Sequence, residues 1–162
     1  MLVISDKAIV SQLADIEDST KDTKIIIKEG VRIDSFVKIK PAGGLGDVII
    51  GKNTYINSGV VIYSGNGVVI GEDVLIAANC TLAAVNHQYK SKYQRIIDQR
   101  FQPSKGGIII EDDVWIGANT VILDGAILRK GCVVGAKSLV RGELAPYSIN
   151  VGSPVKQIGY RE

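Results

Sequence analysis

The chain has 162 residues, 46% of them hydrophobic, with 19 basic and 17 acidic side chains for a net charge of +2. That length suits one domain, 1–162, with a sizeable core, and the near-neutral balance argues against nucleic acid as a default partner. No apolar run reaches membrane-helix length and no charged-then-apolar leader opens the chain, so the reading is a cytoplasmic protein with no membrane span.

Aliphatic residues recur every sixth position, in sets of three. Ile4, Val10 and Ile16 are followed by Ile27, Ile33 and Ile39, then Ile50, Ile56 and Ile62, then Ile70, Ile76 and Leu82. The phase resumes unbroken from Ile110 through Ile116, Ile122, Leu128, Val134 and Val140. Two residues before each stands a small or branched partner, as in Ile108, Val114, Thr120, Ala126, Cys132 and Ser138. A period of six suits neither an amphipathic helix nor a simple alternating strand. It suits a solenoid whose step is a short strand plus a corner, with both marked positions facing inward.

Extra residues fall only between sets, within 17–26, 40–49, 63–69 and 83–109. Three steps therefore make one coil, and the insertions stack at one corner. The expected fold is all-β, a triangular parallel β-helix of about six coils over residues 2–145, with a long loop at 83–107 and a short tail at 146–162. At about 4.8 Å per layer such a prism stands roughly 29 Å tall. Counting leaves its handedness open.

In chain order, the first coil (2–16) is expected to end the stack as a cap. Residues 17–24 and 41–47 are polar or glycine-rich corner loops. Gly46-Asp-Val-Ile-Ile-Gly51-Lys52 imitates a P-loop, but Asn53 replaces the magnesium-binding hydroxyl and Val48 to Ile50 belong to the buried repeat, so it is rejected. Cys80 and Cys132 occupy inward positions and read as core thiols; with a single histidine in the chain no metal site is expected. The insertion 83–107 carries Lys90, Lys92, Arg95, Arg100 and Lys105 against Asp98 alone, and 128–162 carries six bases against two acids. Two basic regions on a nearly neutral chain suit a small polyanion, such as a phosphorylated cofactor, or else simply solvate an edge-rich fold. The insertion also holds His87, with Tyr89, Tyr93 and Phe101 as apolar surface. Structureless loops of this length are uncommon unless functional. After Val140 the repeat is expected to end at Pro146-Tyr147, leaving a covering strand or turn.

Several of these stretches resemble a known family. Ile50-Gly-Lys-Asn-Thr-Tyr55-Ile-Asn57, Ile70-Gly-Glu-Asp-Val-Leu-Ile76 through Leu82, Asn86-His87, Asp113-Val-Trp115-Ile-Gly117, Val134-Gly135-Ala136-Lys-Ser138 and Gly152-Ser-Pro154-Val-Lys156 are similar to the hexapeptide-repeat acetyltransferases of the galactoside, maltose and xenobiotic group. The resemblance spans about 27–161. It implies a left-handed β-helix assembled as a homotrimer, active sites between subunits, and acetyl-CoA as donor. It matches His87 to the catalytic base, Tyr55 and Asn57 to acceptor-facing positions, and Trp115 to the site and the pantetheine arm. Ala118 and Ala136 match backbone contacts to that arm; Lys156, Arg161 and Arg141 match positions near the nucleotide phosphates.

Here, however, coils begin at once, Ser64-Gly65-Asn66-Gly67 stands where galactoside-type enzymes place an acidic acceptor contact, and the His loop is longer and more basic. The overall look is nearer the relatives that decorate surface-polysaccharide or nucleotide-linked sugars. The expected activity is O-acetylation of a sugar hydroxyl by direct attack on the thioester. An imidazole, with its ordinary pKa of about 6.5, suits the removal of a hydroxyl proton at neutral pH. N-acetylation of a nucleotide-linked amino sugar and a non-catalytic trimeric assembly role stand as alternatives. Trp115 could equally be an outward packing residue, and Asn57 and Asn79 corner residues with left-handed backbone.

Overall fold

The computed structural model describes residues 1–162. Six coils follow one another, three strands to each. The first two hold β1 (Leu2–Ile4), β2 (Ile9–Val10), β3 (Asp15–Ile16), β4 (Ile25–Ile27), β5 (Arg32–Ile33) and β6 (Lys38–Lys40). Next come β7 (Val48–Ile50), β8 (Tyr55–Ile56), β9 (Val61–Tyr63), β10 (Val68–Ile70), β11 (Leu75–Ile76) and β12 (Thr81–Ala83). A loop with one short helix, α1 (Ile96–Gln99), precedes β13 (Ile108–Ile110), β14 (Trp115–Ile116), β15 (Val121–Leu123), β16 (Ile127–Leu128), β17 (Val133–Val134) and β18 (Leu139–Val140). The chain closes with β19 (Glu143–Leu144), β20 (Ser148–Val151) and β21 (Lys156–Tyr160). No helix is long and apolar enough to cross a membrane.

Every third strand joins the same sheet, giving three parallel faces. Face one runs β1-β4-β7-β10-β13-β16-β19, face two β2-β5-β8-β11-β14-β17-β20-β21, and face three β3-β6-β9-β12-β15-β18. The register is in line: Ile27 pairs with Ile50, Ile50 with Ile70, Ile70 with Ile110, and Ile110 with Leu128. Both inward positions of each step are buried from the second coil onward, and they supply nearly all of the 29-residue core. A buried aliphatic side chain of this kind contributes about 1.5–3 kcal/mol, so the column is stabilised coil by coil.

Some inward positions are polar, and each finds a corner carbonyl. Thr54 Oγ1 donates to Gly71 O at 2.9 Å, Thr120 Oγ1 to Gly135 O at 3.2 Å, and Ser138 Oγ to the same Gly135 O at 2.7 Å. No buried side-chain polar atom lacks a partner. This explains why Thr and Ser can stand where Val stands in neighbouring coils.

The tight corners after faces one and two turn through left-handed backbone, a conformation that costs an ordinary L-residue about 1–2 kcal/mol. Asn53, Asp73, Asn79, Asp113 and Asn119 take it, with φ between 55° and 60°. The third corner receives every insertion, as the spacing requires. There the loops stack backbone on backbone: a Cβ on Gly44 would lie 1.4 Å from Gly65 O, so that position admits glycine alone.

One expectation needs correction at the C-terminal end. The repeat does not end at Val140 or residue 145. β19 and β20 extend faces one and two, with Leu144, Ser148 and Asn150 buried. Pro146 occupies the corner turn and Tyr147 takes the left-handed position with φ 57°, so a proline that looked like a breaker in fact fits the corner. The tail then folds back as β21, antiparallel to β20. At the other end the first coil covers the core of the second, with Leu2, Ala8, Val10, Ala14 and Ile16 packed against it, while Ile4, Ile9 and Leu13 are exposed.

Cys80 and Cys132 are buried and unpaired. Burial raises both thiols, Cys132 to about 12 with the charge of Glu111 adding to the effect. At pH 8 the native protein is therefore expected to resist iodoacetamide at both positions, while denatured protein takes two labels, as counted by intact mass.

Candidate functional site

The long insertion is ordered by its own hydrogen bonds. His87 and Phe101 form an antiparallel bridge, flanked by Gln88 N–H to Arg100 O at 2.9 Å and Gln102 N–H to Asn86 O at 2.8 Å. Within the tip, Gln99 Nε2 donates to Ser91 O and Gln94 O at 2.8 and 2.9 Å, and Gln99 Oε1 accepts from Ser91 N–H. The returning chain is held by Asp124, whose carboxylate accepts from Lys105 N–H and Gly107 N–H at 2.9 Å each and from Asn66 Nδ2 at 3.1 Å. Twenty-odd residues thus leave the third corner and come back to it as a closed arm.

His87 lies at the root of that arm, with an exposed imidazole. Its backbone N–H donates to Asn86 Oδ1 at 2.9 Å, and its ring rests on Phe101 with centroids 4.9 Å apart. Neither ring nitrogen is hydrogen-bonded within the chain, which leaves both free for a ligand. Beside it opens a cavity of about 330 Å³ lined by Ala42, Gly43, Tyr63, Ala83, Val85 and Phe101. Its walls are apolar apart from the imidazole and the Tyr63 hydroxyl. A second hollow of about 200 Å³ lies further along the axis, under the arm, and meets Asn86, Tyr89, Gln102, Lys105, Asp124 and Arg141.

The other sequence-predicted residues stand elsewhere. Tyr55 and Trp115 project outward from face two, in a row that runs Ile9, Arg32, Tyr55, Leu75, Trp115, Val133 and Ile149. Trp115 is 50% exposed. Tyr55 also borders a shallow hollow of about 170 Å³ with Ser11, Arg32 and Asp34. Asn57 sits at the corner after face two and donates from Nδ2 to Ile76 O at 2.9 Å. Asn79, not Asn57, has the left-handed backbone.

Ala118 and Ala136 lie on that same corner in the fifth and sixth coils. Their carbonyl and amide roles differ: Ala118 O accepts from Lys137 N–H at 2.8 Å, while the N–H groups of Ala118 and Ala136 find no acceptor in the chain. Lys156 opens β21 opposite Val151, exposed and without an ion pair. It therefore ends the column that Ala118 and Ala136 begin.

The three cations matched to nucleotide phosphates do not gather within the chain. Arg161 is tied at the first corner, where Nη1 donates to Asp113 Oδ2 at 2.8 Å and Gly131 O at 3.1 Å. Arg141 lies at the third corner in the hollow under the arm. Lys156 alone stands near the free amides.

Gly43, Tyr63 and Asp124 escaped sequence reasoning, and Phe101 was read only as apolar surface. Tyr63 carried a usable signal, since it holds the register position of Ala83, four residues before His87. Gly43 and Asp124 gave none, because their roles arise from contacts across coils.

The candidate residues thus fall into two groups, one along the third corner and one along face two and the corner after it. One runs Gly43, Tyr63, His87, Arg141 from the second coil to the sixth. The other runs Tyr55, Trp115, Ala118, Ala136, Lys156 from the third coil to the tail.

Comparison with known proteins converges on one family. Residues 107–142 match the bacterial transferase hexapeptide family (six repeats), and 47–84 match the hexapeptide repeat of succinyl-transferase. The chain is 31% identical over 134 residues to WbbJ of Escherichia coli, whose name assigns it to lipopolysaccharide biosynthesis as an O-acetyl transferase; the match covers 80% of this chain and 65% of that protein. It is 32% identical over 112 residues to the galactoside O-acetyltransferase of Escherichia coli, covering 69% of this chain and 53% of the relative. The chain thus spans less than two thirds of these relatives' length. Among solved structures, a variant of AntD from Bacillus cereus, an N-acyltransferase in complex with dTDP-4-amino-4,6-dideoxyglucose and coenzyme A, superposes with a TM-score of 0.82 at 26% identity, over 99% of this chain and 84% of that one. The polySia-specific acetyltransferase NeuO superposes with a TM-score of 0.78 at 25% identity, over 98% of this chain and 66% of NeuO. By its repeat, its left-handed parallel β-helix and these relatives, the chain is a hexapeptide-repeat protein similar to the hexapeptide-repeat acetyltransferases.

Proposed function

We propose that this protein is an acetyl-CoA-dependent O-acetyltransferase acting on a hydroxyl of a surface-polysaccharide or nucleotide-linked sugar. The observation that carries the reading is His87, the sole histidine, exposed with both ring nitrogens free at the mouth of a 330 Å³ cavity. The O-acetyl transferase names of its relatives support the sugar acceptor.

In the proposed reaction the neutral imidazole takes the proton of the acceptor hydroxyl as its oxygen attacks the thioester carbonyl. A backbone N–H facing the carbonyl holds the oxyanion. Collapse breaks the C–S bond, and the imidazolium returns the proton to the leaving thiolate, so the products are a sugar ester and free CoA. The open amides of Ala118 and Ala136 suit the amide groups of a pantetheine arm, and Lys156 suits a phosphate at its far end.

The two groups of residues lie on different corners, so one protomer cannot close them on a substrate. In a homotrimer, the His87 corner of one copy would face the Tyr55–Lys156 column of the next, and their shared axial grading would set acceptor against acceptor end and donor against donor end. The outward row of face one supports burial between copies. It runs Val3, Ile26, Ile49, Val69, Ile109 and Ile127, all aliphatic. Val3, Val69 and Ile109 are exposed in the single chain, and a contiguous apolar strip of this size marks an association surface.

A second reading, N-acylation of a nucleotide-linked amino sugar, is favoured by the likeness to AntD. An amine can shed its proton after attack, so it depends less on a base. Stability of the product to mild alkali separates ester from amide.

His87→Ala is expected to lower kcat by about 10²–10⁴ with CoA affinity unchanged. Retention of most turnover by this variant with a hydroxyl acceptor would exclude His87 as the base. Lys156→Ala should weaken CoA binding up to about tenfold, roughly 1.4 kcal/mol, since the site is exposed. Dephospho-CoA should show no such loss if the contact is the 3′-phosphate; calorimetry reads both. Ile109→Lys places a charge mid-row on face one, and sedimentation should then show monomer with activity lost, against an active trimer for the parent.

A further inference from the structure

We propose that Phe101, seated in a notch left by Gly43, is the positioning residue that sets the His87 imidazole. The proposal rests on the reading of His87 as the base. Three observations meet at this ring. Phe101 is bridged to His87 through the backbone and stacked on its side chain, 4.9 Å between centroids and tilted by 41°. A Cβ on Gly43 would lie 2.5 and 2.7 Å from two Phe101 ring carbons. Gly43 has φ +66°, a conformation that disfavours any side chain there independently of the space.

No carboxylate or carbonyl of the chain fixes either nitrogen of His87. In many sites a hydrogen bond to the second nitrogen orients a catalytic imidazole. Here the aromatic contact is what restricts rotation of the ring, and tilted aromatic pairs at this separation are attractive. Phe101 itself is held by the zipped stem of the arm, between the bonds from Gln88 N–H to Arg100 O and from Gln102 N–H to Asn86 O. The corner loop at Gly43 belongs to the second coil and the arm leaves the fourth. The wedge therefore ties the base to a rigid part of the stack two coils away, along one wall of the cavity that Tyr63 and Val85 complete.

The single histidine makes the test direct, because its ring protons are assigned without ambiguity in a ¹H–¹³C spectrum. Phe101→Ala should move those signals as the ring current is lost, and Phe101→Tyr, which keeps the aromatic face, should leave them near the parent positions. Gly43→Ala should move them by pushing the ring out of its notch. In turnover, Phe101→Ala and Gly43→Ala should lose about 10–100-fold in kcat, as displacement of a reacting group does, with KM for acetyl-CoA and the unfolding temperature little changed. Phe101→Tyr should restore kcat. Unmoved His87 signals in Phe101→Ala would overturn the contact. Moved signals with full kcat, in a background where His87→Ala is inactive, would overturn positioning while the base reading stands. If His87→Ala itself retains turnover, the base reading falls and the catalytic role of Phe101 falls with it.

Discussion

Every feature of this protein depends on one contact, repeated: an inward aliphatic side chain resting on its equivalent in the next coil. Ile27, Ile50, Ile70, Ile110 and Leu128 do this on face one, and Ile33, Ile56, Ile76, Ile116 and Val134 on face two. Such a core has no long-range partners, only neighbours above and below. It tolerates a large excursion at one corner because the strands on either side still meet. β12 pairs directly with β15, and β10 with β13, across the sequence gap that contains the arm.

That tolerance places the chemistry. The stack supplies three rigid edges at a fixed vertical repeat, and functional groups hang from them at chosen heights. His87 gains its position from the arm, but the arm gains its own from Asp124 and Gly43, both corner residues of other coils. The cations divide by the same logic. Arg129 is spent on Glu111 and Glu143, and Arg161 on Asp113, holding strands and tail together. Lys156, Lys105 and Arg141 have no such partner, and they lie beside the open amides or the hollow under the arm.

The fold was legible because its period is covalent: a hexad count needs no knowledge of packing, and it located the faces, the insertion corner and the core positions of Cys80 and Cys132. It failed where composition departed from the aliphatic rule while geometry did not. Leu144, Ser148 and Asn150 continue the core with two polar residues, so the seventh layer was missed. His87 was legible as an isolated histidine at the root of an anomalous insertion. Its surroundings were less so, since Gly43 and Phe101 are 58 residues apart and meet only because stacking brings their coils into register. Nor could spacing show that Arg141, Arg161 and Lys156 point from three different edges.

The two ends of the prism are unlike, and this gives the molecule a direction of fraying. The last layer is clamped by β21, by Val155 N–H on Leu139 O at 3.0 Å and by Arg161. The first coil leans on one neighbour only, with Ile4, Ile9 and Leu13 in solvent. Local opening in a linear stack begins where a layer has fewest contacts, so the amides of β1, β2 and β3 exchange first and the disturbance travels upward layer by layer. The tyrosine and glycine that border the His87 cavity stand three and two layers in, Tyr63 in the third and Gly43 at the end of the second. The protein can thus breathe at its exposed base while its upper layers stay closed, and Gly43, at the end of the second coil, is the first site residue such breathing would reach.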